Sequence, residues 1–199
     1  MPINEQTNKD QSPGENILTQ KLLETRSIMI SGDINQKLAQ KISTQLLILQ
    51  ELGSEPIKLF INSQGGHVEA GDTIHDMIRF VHPQVYIIGT GWVASAGVNI
   101  FLSVDTRHRF SLPNTRFMIH QPSGGVQGAS TDIAIEAQEI IKIKERINRL
   151  ISTQTGQPLE RVQSDTERNF WMSAHQAVEY GIVGRVISSQ AELDQAIDR

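Results

Sequence analysis

The sequence predicts an α/β fold in a single domain. Short apolar runs alternate with segments of helical period, the pattern of strands joined by helical crossovers. Glycines punctuate many of the junctions. Neither a repeat nor a linker breaks the alternation, and 199 residues suffice for one sizeable core.

Residues 1–16 are polar, contain Ser12-Pro13-Gly14, and read as a flexible N-terminal arm. Residues 28–32 read as a short strand. Leu38, Ile42, Leu46 and Leu49 then recur at helical spacing up to Gly53, a plausible C-cap. Ile57 to Ile61 is a strand, Asn62-Ser63-Gln64-Gly65-Gly66 a loop, and Val68 to Val81 a helix with Ile74, Ile78 and Val81 on one face. Val85 to Ile88 is a buried strand. Gly91 and Gly97 bracket a tight turn into an apolar helix. Arg109-Phe110 and Phe117 to Ile119 are strands separated by Leu112-Pro113-Asn114. Residues 122–128 are too glycine-rich for a core element. A long helix from about Thr131 to Gln154 carries the stripe Ile133, Ala137, Ile140, Lys144, Ile147 and Ile151, and its position after a flexible ribbon predicts that it projects. Ser173 and Gln176 form a capping box for a short helix that Gly181 ends, and Val183 to Ile187 is a last strand.

Composition narrows the function classes. A net charge of -4 gives no basic footprint for nucleic acid. There is no cysteine, hence no disulfide framework and no thiolate zinc site. The N-terminus lacks the features of a secretory signal and no stretch is long and apolar enough to span a bilayer, so a cytoplasmic protein without a membrane partner is expected.

Ser95 lies in Gly91-Trp92-Val93-Ala94-Ser95-Ala96-Gly97. A strand entering this turn and a helix leaving it would lift the hydroxyl into the open and set the Ala96 N–H at a helix N-terminus, where developing negative charge is favoured. It is not the G-x-S-x-G elbow, because position 93 is valine. A serine among small residues also fits simple tight packing. The Gly65-Gly66 pair lets backbone N–H groups face a ligand, or makes an ordinary turn. His120 sits on an apolar strand before Gln121-Pro122, as a general base or as a satisfied core histidine. His82 and His108 beside turns, and His75 and His175 on helices, are expected at the surface. His67 follows the glycine pair and is placed to approach a substrate. No histidine pair has metal-ligand spacing with a carboxylate, so no metal is expected.

Taken in order, Asn-Ser-x-Gly-Gly, Gly-x-x-Ala-Ser-x-Gly, Leu-Pro-Asn-x-Arg-x-Met-Ile-His-Gln-Pro, Gly-x-x-x-Asp-Ile, Thr-Glu-Arg-x, Met-Ser-Ala and Ala-Val-Glu-Tyr-Gly resemble the proteolytic subunit of the Clp protease, the ClpP family of serine peptidases. The resemblance runs from about Ile28 to Ile187. It implies a ClpP/crotonase-like spiral of βαβ units, residues 17–199 forming one peptidase domain with a protruding handle at 123–154. Gly124 to Gly128 would form a strand beside the handle helix. It also implies seven-membered rings stacked in pairs around a proteolytic chamber that takes unfolded proteins, with the N-terminal arm lining the axial pore. An AAA+ unfoldase would dock at the outer face, at Phe60, Phe80, Ile88, Leu112 and Ile187, and would use the ATP; the subunit itself needs no cofactor. A second ClpP-type subunit is a possible further partner.

Carried over by residue, the resemblance makes Ser95 the nucleophile, His120 the general base, the N–H groups of Gly66 and Ala96 the oxyanion hole, and Arg168 a contact between rings. Four positions depart from the family pattern. Thr90 replaces a frequent methionine in the docking pocket, Gln64 the usual proline, and Ala96 the usual methionine. Asn169 stands where the third catalytic residue is normally aspartate, which predicts an endopeptidase of reduced intrinsic activity. Asp165 is an alternative group to orient His120. A non-catalytic structural or regulatory subunit of a mixed Clp complex is the competing function. An acyl-CoA crotonase would share the spiral but gives Ser95 and His120 no joint role.

Overall fold

The structure, a computed structural model, describes residues 13–197. Most of the predicted arm lies outside that range, and its last four residues open helix α1 (Pro13–Glu24). Strand β1 (Ser27–Ile34) and helix α2 (Gln36–Leu52) follow. Asn35 caps α2, its side-chain oxygen accepting from the Leu38 N–H at 3.0 Å. Gly53 is the C-cap, as predicted. With φ 160 this residue is extended, not left-handed. In place of a left-handed turn, the Arg26 guanidinium closes the helix end, donating to the carbonyls of Leu49 at 2.9 Å, Gly53 at 3.1 Å and Glu55 at 2.9 Å.

Strand β2 (Ile57–Gly66) runs five residues past its predicted end, because Asn62 to Gly66 keep pairing with β1 across a shift in register. Helix α3 (Val68–Phe80) leads to β3 (Val85–Ala94), which is also longer than predicted. Short helix α4 (Ala96–Phe101), β4 (Arg109–Ser111) and β5 (Arg116–Ile119) come next. Strands β1, β2 and β3 are parallel neighbours. Strand β3 changes partner midway: Ile87 to Gly89 pair with β4, whereas Trp92 to Ala94 pair with β5. Gly91 makes that change. Its φ is +61, and a Cβ there would stand 2.7 Å from Asn62 Oδ1.

Helix α5 (Ser130–Thr155) is the predicted long helix. Its apolar stripe is buried only at the C-terminal end, at Ile147 and Ile151; Ile133 and Ala137 are exposed. The predicted strand from Gly124 to Gly128 is not formed: among the described residues no strand pairs with this segment, and a strand needs a ladder partner. Besides α1, three elements have no counterpart in the sequence reading. They are α6 (Leu159–Asp165), β6 (Phe170–Ser173) and the final helix α8 (Gln190–Ile197). Between them, α7 (Ala174–Tyr180) has the predicted capping box and left-handed Gly181, and β7 (Arg185–Val186) pairs with β4.

Arg109 is a buried cation with 1% exposure and no carboxylate at bonding distance. It donates to the carbonyls of Gln154 at 2.9 Å and Ile182 at 3.1 Å, and to Thr106 Oγ1 at 2.7 Å, joining the C-terminal ends of α5 and α7 to β4. Burial lowers its pKa to about 10, with Asp105 opposing the shift. Arg109→Leu is expected to destabilise the protein by about 3 kcal/mol, because those carbonyls lose a charged donor with no water to replace it. Denaturant unfolding at constant oligomeric state measures it; an unchanged midpoint would count against the role.

Candidate active site

The sheet topology assembles the site. Strands β3 and β5 are parallel with Ala94 opposite Met118, so the residues just beyond them emerge at the same edge. Those residues include Ser95 and His120. The Ser95 N–H extends the ladder by donating to the Met118 carbonyl at 2.9 Å. Strand β6 runs antiparallel to β5 with Phe170 opposite Ile119, so Asn169 falls opposite His120. Three residues far apart in sequence therefore meet through pairing register.

Ser95 is held at φ 54 and ψ -124, a conformation that side chains other than glycine rarely adopt. It turns the chain sharply from β3 into α4. The turn is packed from behind by Gly65, where a Cβ would lie 2.6 Å from Ser95 Cβ and 3.2 Å from the Ala96 nitrogen. Gly65 thus makes the close approach, a role the sequence reading did not separate from that of Gly66. Gly66, at φ +151, packs against Ile34 on β1.

His120 Nε2 lies 2.7 Å from Ser95 Oγ. Burial holds the imidazole below its ordinary pKa, and a hydrogen bond with the Asn169 side chain opposes that shift. An Nδ1–H tautomer presents Nε2 to the serine hydroxyl as an acceptor. Asn169 itself is exposed. Asp165 is not the alternative orienter: its carboxylate accepts from Tyr180 Oη at 2.9 Å and pairs with Arg161 at 3.6 Å. A pocket beside the pair is lined by Val68, Val98, Ile119, Pro122, Ile147 and Ile151. It is narrow, and Asn99 adds a polar group beside Ser95 and His120.

The other histidines divide. His75 is corrected from surface to half-buried, its Nδ1 2.7 Å from the Asn99 carbonyl. His108 is likewise half-buried, edge-on to Tyr86 with ring centroids 4.9 Å apart. His67 is exposed and pairs with Glu69 at 3.2 Å. His82 and His175 are exposed. Among the described residues no group of three or more His, Cys, Asp or Glu side chains is placed to hold a metal ion.

Four of the five predicted docking residues lie together. Phe60, Ile88, Leu112 and Ile187 form a second apolar cluster with Tyr86 and Phe110, and α8 packs Leu193, Ala196 and Ile197 against it. Ile88 and Ile187 are consequently buried. Phe80 stands apart at the end of α3, 70% exposed. Arg168 is exposed in the turn before β6 and has no ion pair among the described residues.

A serine and a histidine at hydrogen-bond distance beyond the C-terminal ends of parallel strands, with an amide opposite the ring, are the arrangement a serine hydrolase would use. Comparison with known proteins narrows the class. The Clp protease family matches residues 10–190. The ATP-dependent Clp protease proteolytic subunit 3 of Rhizobium johnstonii is 53% identical over 172 residues, covering 86% of this chain and 89% of that protein. Two solved structures, ClpP1 from Listeria monocytogenes and an asparagine-to-aspartate mutant of it, superpose with TM-scores of 0.80 and 0.83. Both are 56% identical and cover 88% of this chain and 99% of theirs. The chain belongs to the Clp protease family, and its fold is the ClpP-like α/β fold.

Proposed function

We propose that this chain is the proteolytic subunit of an ATP-dependent Clp protease, a serine endopeptidase whose turnover is limited by Asn169. The single observation that carries the reading is the 2.7 Å contact between His120 Nε2 and Ser95 Oγ. Ser95 Oγ attacks the peptide carbonyl as its proton passes to His120 Nε2. His120 then gives that proton to the leaving amine. Water, deprotonated by His120, cleaves the acyl-enzyme and restores the serine. The N–H groups of Gly66 and Ala96 are the proposed donors to the oxyanion. No step calls for a metal or cofactor in this subunit; ATP is used by a partner AAA+ unfoldase.

The exposed amide at Asn169 favours a second reading, a non-catalytic subunit of a mixed Clp complex. A fluorophosphonate probe on the pure protein separates the two. Labelling at Ser95 supports the peptidase; an assembled protein that stays unlabelled would establish the other.

Assembly into seven-membered rings, stacked in pairs, is proposed from the family and from the bare first half of α5, where Ile133 is 41%, Ile135 54% and Ile141 56% exposed. Docking of the unfoldase at the Phe60–Leu112 cluster, a cytoplasmic location and unfolded protein substrates belong to the same reading. Light scattering is expected to give a mass many times 22.2 kDa. Arg168→Ala should weaken the stacking of rings more than the formation of one. A monomeric mass at micromolar concentration and physiological salt would overturn the assembly.

A further inference from the structure

Asn169 occupies an exposed turn, yet the residues just before it are tied down on several sides. Thr166 is buried, and its Oγ1 donates to Asn148 Oδ1 at 3.0 Å and to the Val162 carbonyl at 2.8 Å. Lys144 on α5 pairs with Glu167 at 2.7 Å. These contacts fix the turn to α5 and α6. Neither helix carries His120.

Gln121 supplies the tie to the strand that does. It follows His120 directly, at the point where the β5–β6 ladder has ended. Its backbone N–H donates to the Thr166 carbonyl at 2.6 Å, and its side-chain Nε2 donates to the Glu167 carbonyl at 2.9 Å. We propose that Gln121 is a positioning residue: by holding the carbonyls of Thr166 and Glu167 it fixes Asn169 against His120. The proposal rests on the catalytic reading of Ser95 and His120. Without the side-chain bond the turn keeps its anchors on α5 and α6 and the β5–β6 ladder from Phe170 onward, but loses one of the two hydrogen bonds by which Gln121 holds the residues before Asn169. Glu167 is exposed, so water takes over its carbonyl and folding is little affected. The position of the amide relative to the imidazole is what changes. That matters here because an amide, unlike a carboxylate, has no net charge to attract the imidazolium from a loosened position.

The test uses the full-length oligomer. Gln121→Met keeps the side-chain length and removes the donor; Gln121→Ala removes the side chain. Each is made in the native protein and in Asn169→Ala, forming a double-mutant cycle. With a fluorogenic peptide, Gln121→Met is expected to lower kcat roughly tenfold with KM little changed, the scale of a small misplacement in a catalytic site. In the Asn169→Ala background the same change should have less than about a twofold effect. NMR titration of His120 should show a lower pKa in Gln121→Met, because the contact that raises it is loosened. Equal losses in both backgrounds, a change in KM alone, or an unaltered kcat would overturn the proposal. If Gln121→Ala does not assemble, Gln121→Met decides. If the native protein neither turns over peptide nor takes a fluorophosphonate, the catalytic reading has failed. The His120 titration then decides the positioning by itself: a lowered pKa supports it and an unshifted one overturns it.

Discussion

Ser95→Ala is expected to reduce peptide hydrolysis to background while leaving the assembly intact. Losing a nucleophilic serine costs on the order of 10⁶-fold in kcat where the rest of the machinery is in place. The structure explains why the fold should tolerate the change. Alanine keeps the Cβ that packs on Gly65, and it faces the same backbone constraint at φ 54 that serine already meets. Only the hydroxyl opposite His120 Nε2 disappears. A peptide assay paired with light scattering checks both halves. Hydrolysis at the native rate by an assembled variant would remove Ser95 from the mechanism.

Asn169→Asp is expected to raise kcat substantially, with KM much less affected. The Asn169 side chain already hydrogen-bonds the ring. What it lacks is charge. An aspartate would stabilise the imidazolium that forms as Ser95 attacks, and that interaction strengthens toward the transition state. About 10⁴-fold, the cost of the reverse change in trypsin-like enzymes, is the upper bound. The pH profile should move as well. His120 must be neutral to accept a proton, and burial holds its pKa below 6.5, so the native acid limb lies below about pH 6.5. A carboxylate favours the charged ring and shifts that limb upward. Both variants must be compared at matched oligomeric state. If kcat is unchanged while the assemblies are the same, Asn169 is not the limiting feature.

Local signals served the sequence reading well where the determinant was local. The capping box at Ser173 and Gln176 and the left-handed Gly181 are written in neighbouring residues, and both are present. Gly53 ends α2 as expected, but in an extended conformation, because carbonyls at that end are satisfied by Arg26, which is distant in sequence. Strand β6 was invisible because four residues carry little periodicity of their own and its ladder partner is β5. The close approach of Gly65 to Ser95 was hidden for a similar reason, since it depends on two chain segments meeting edge to edge.

The sequence by itself determined the α/β class, most of its helices and parallel strands, and, through the order of its motifs, the family, and it singled out Ser95, His120 and Asn169 as the candidate site. Those are properties of residue type and spacing along one chain. Only the tertiary structure decided that Ser95 and His120 lie 2.7 Å apart, that Asp165 is taken by Tyr180 and Arg161, and that α8 covers Ile88 and Ile187. The physical reason is common to all three. Each depends on strand register or helix packing between distant segments, and a shift of one residue in β5 against β6 would separate His120 from Asn169 without altering any local propensity.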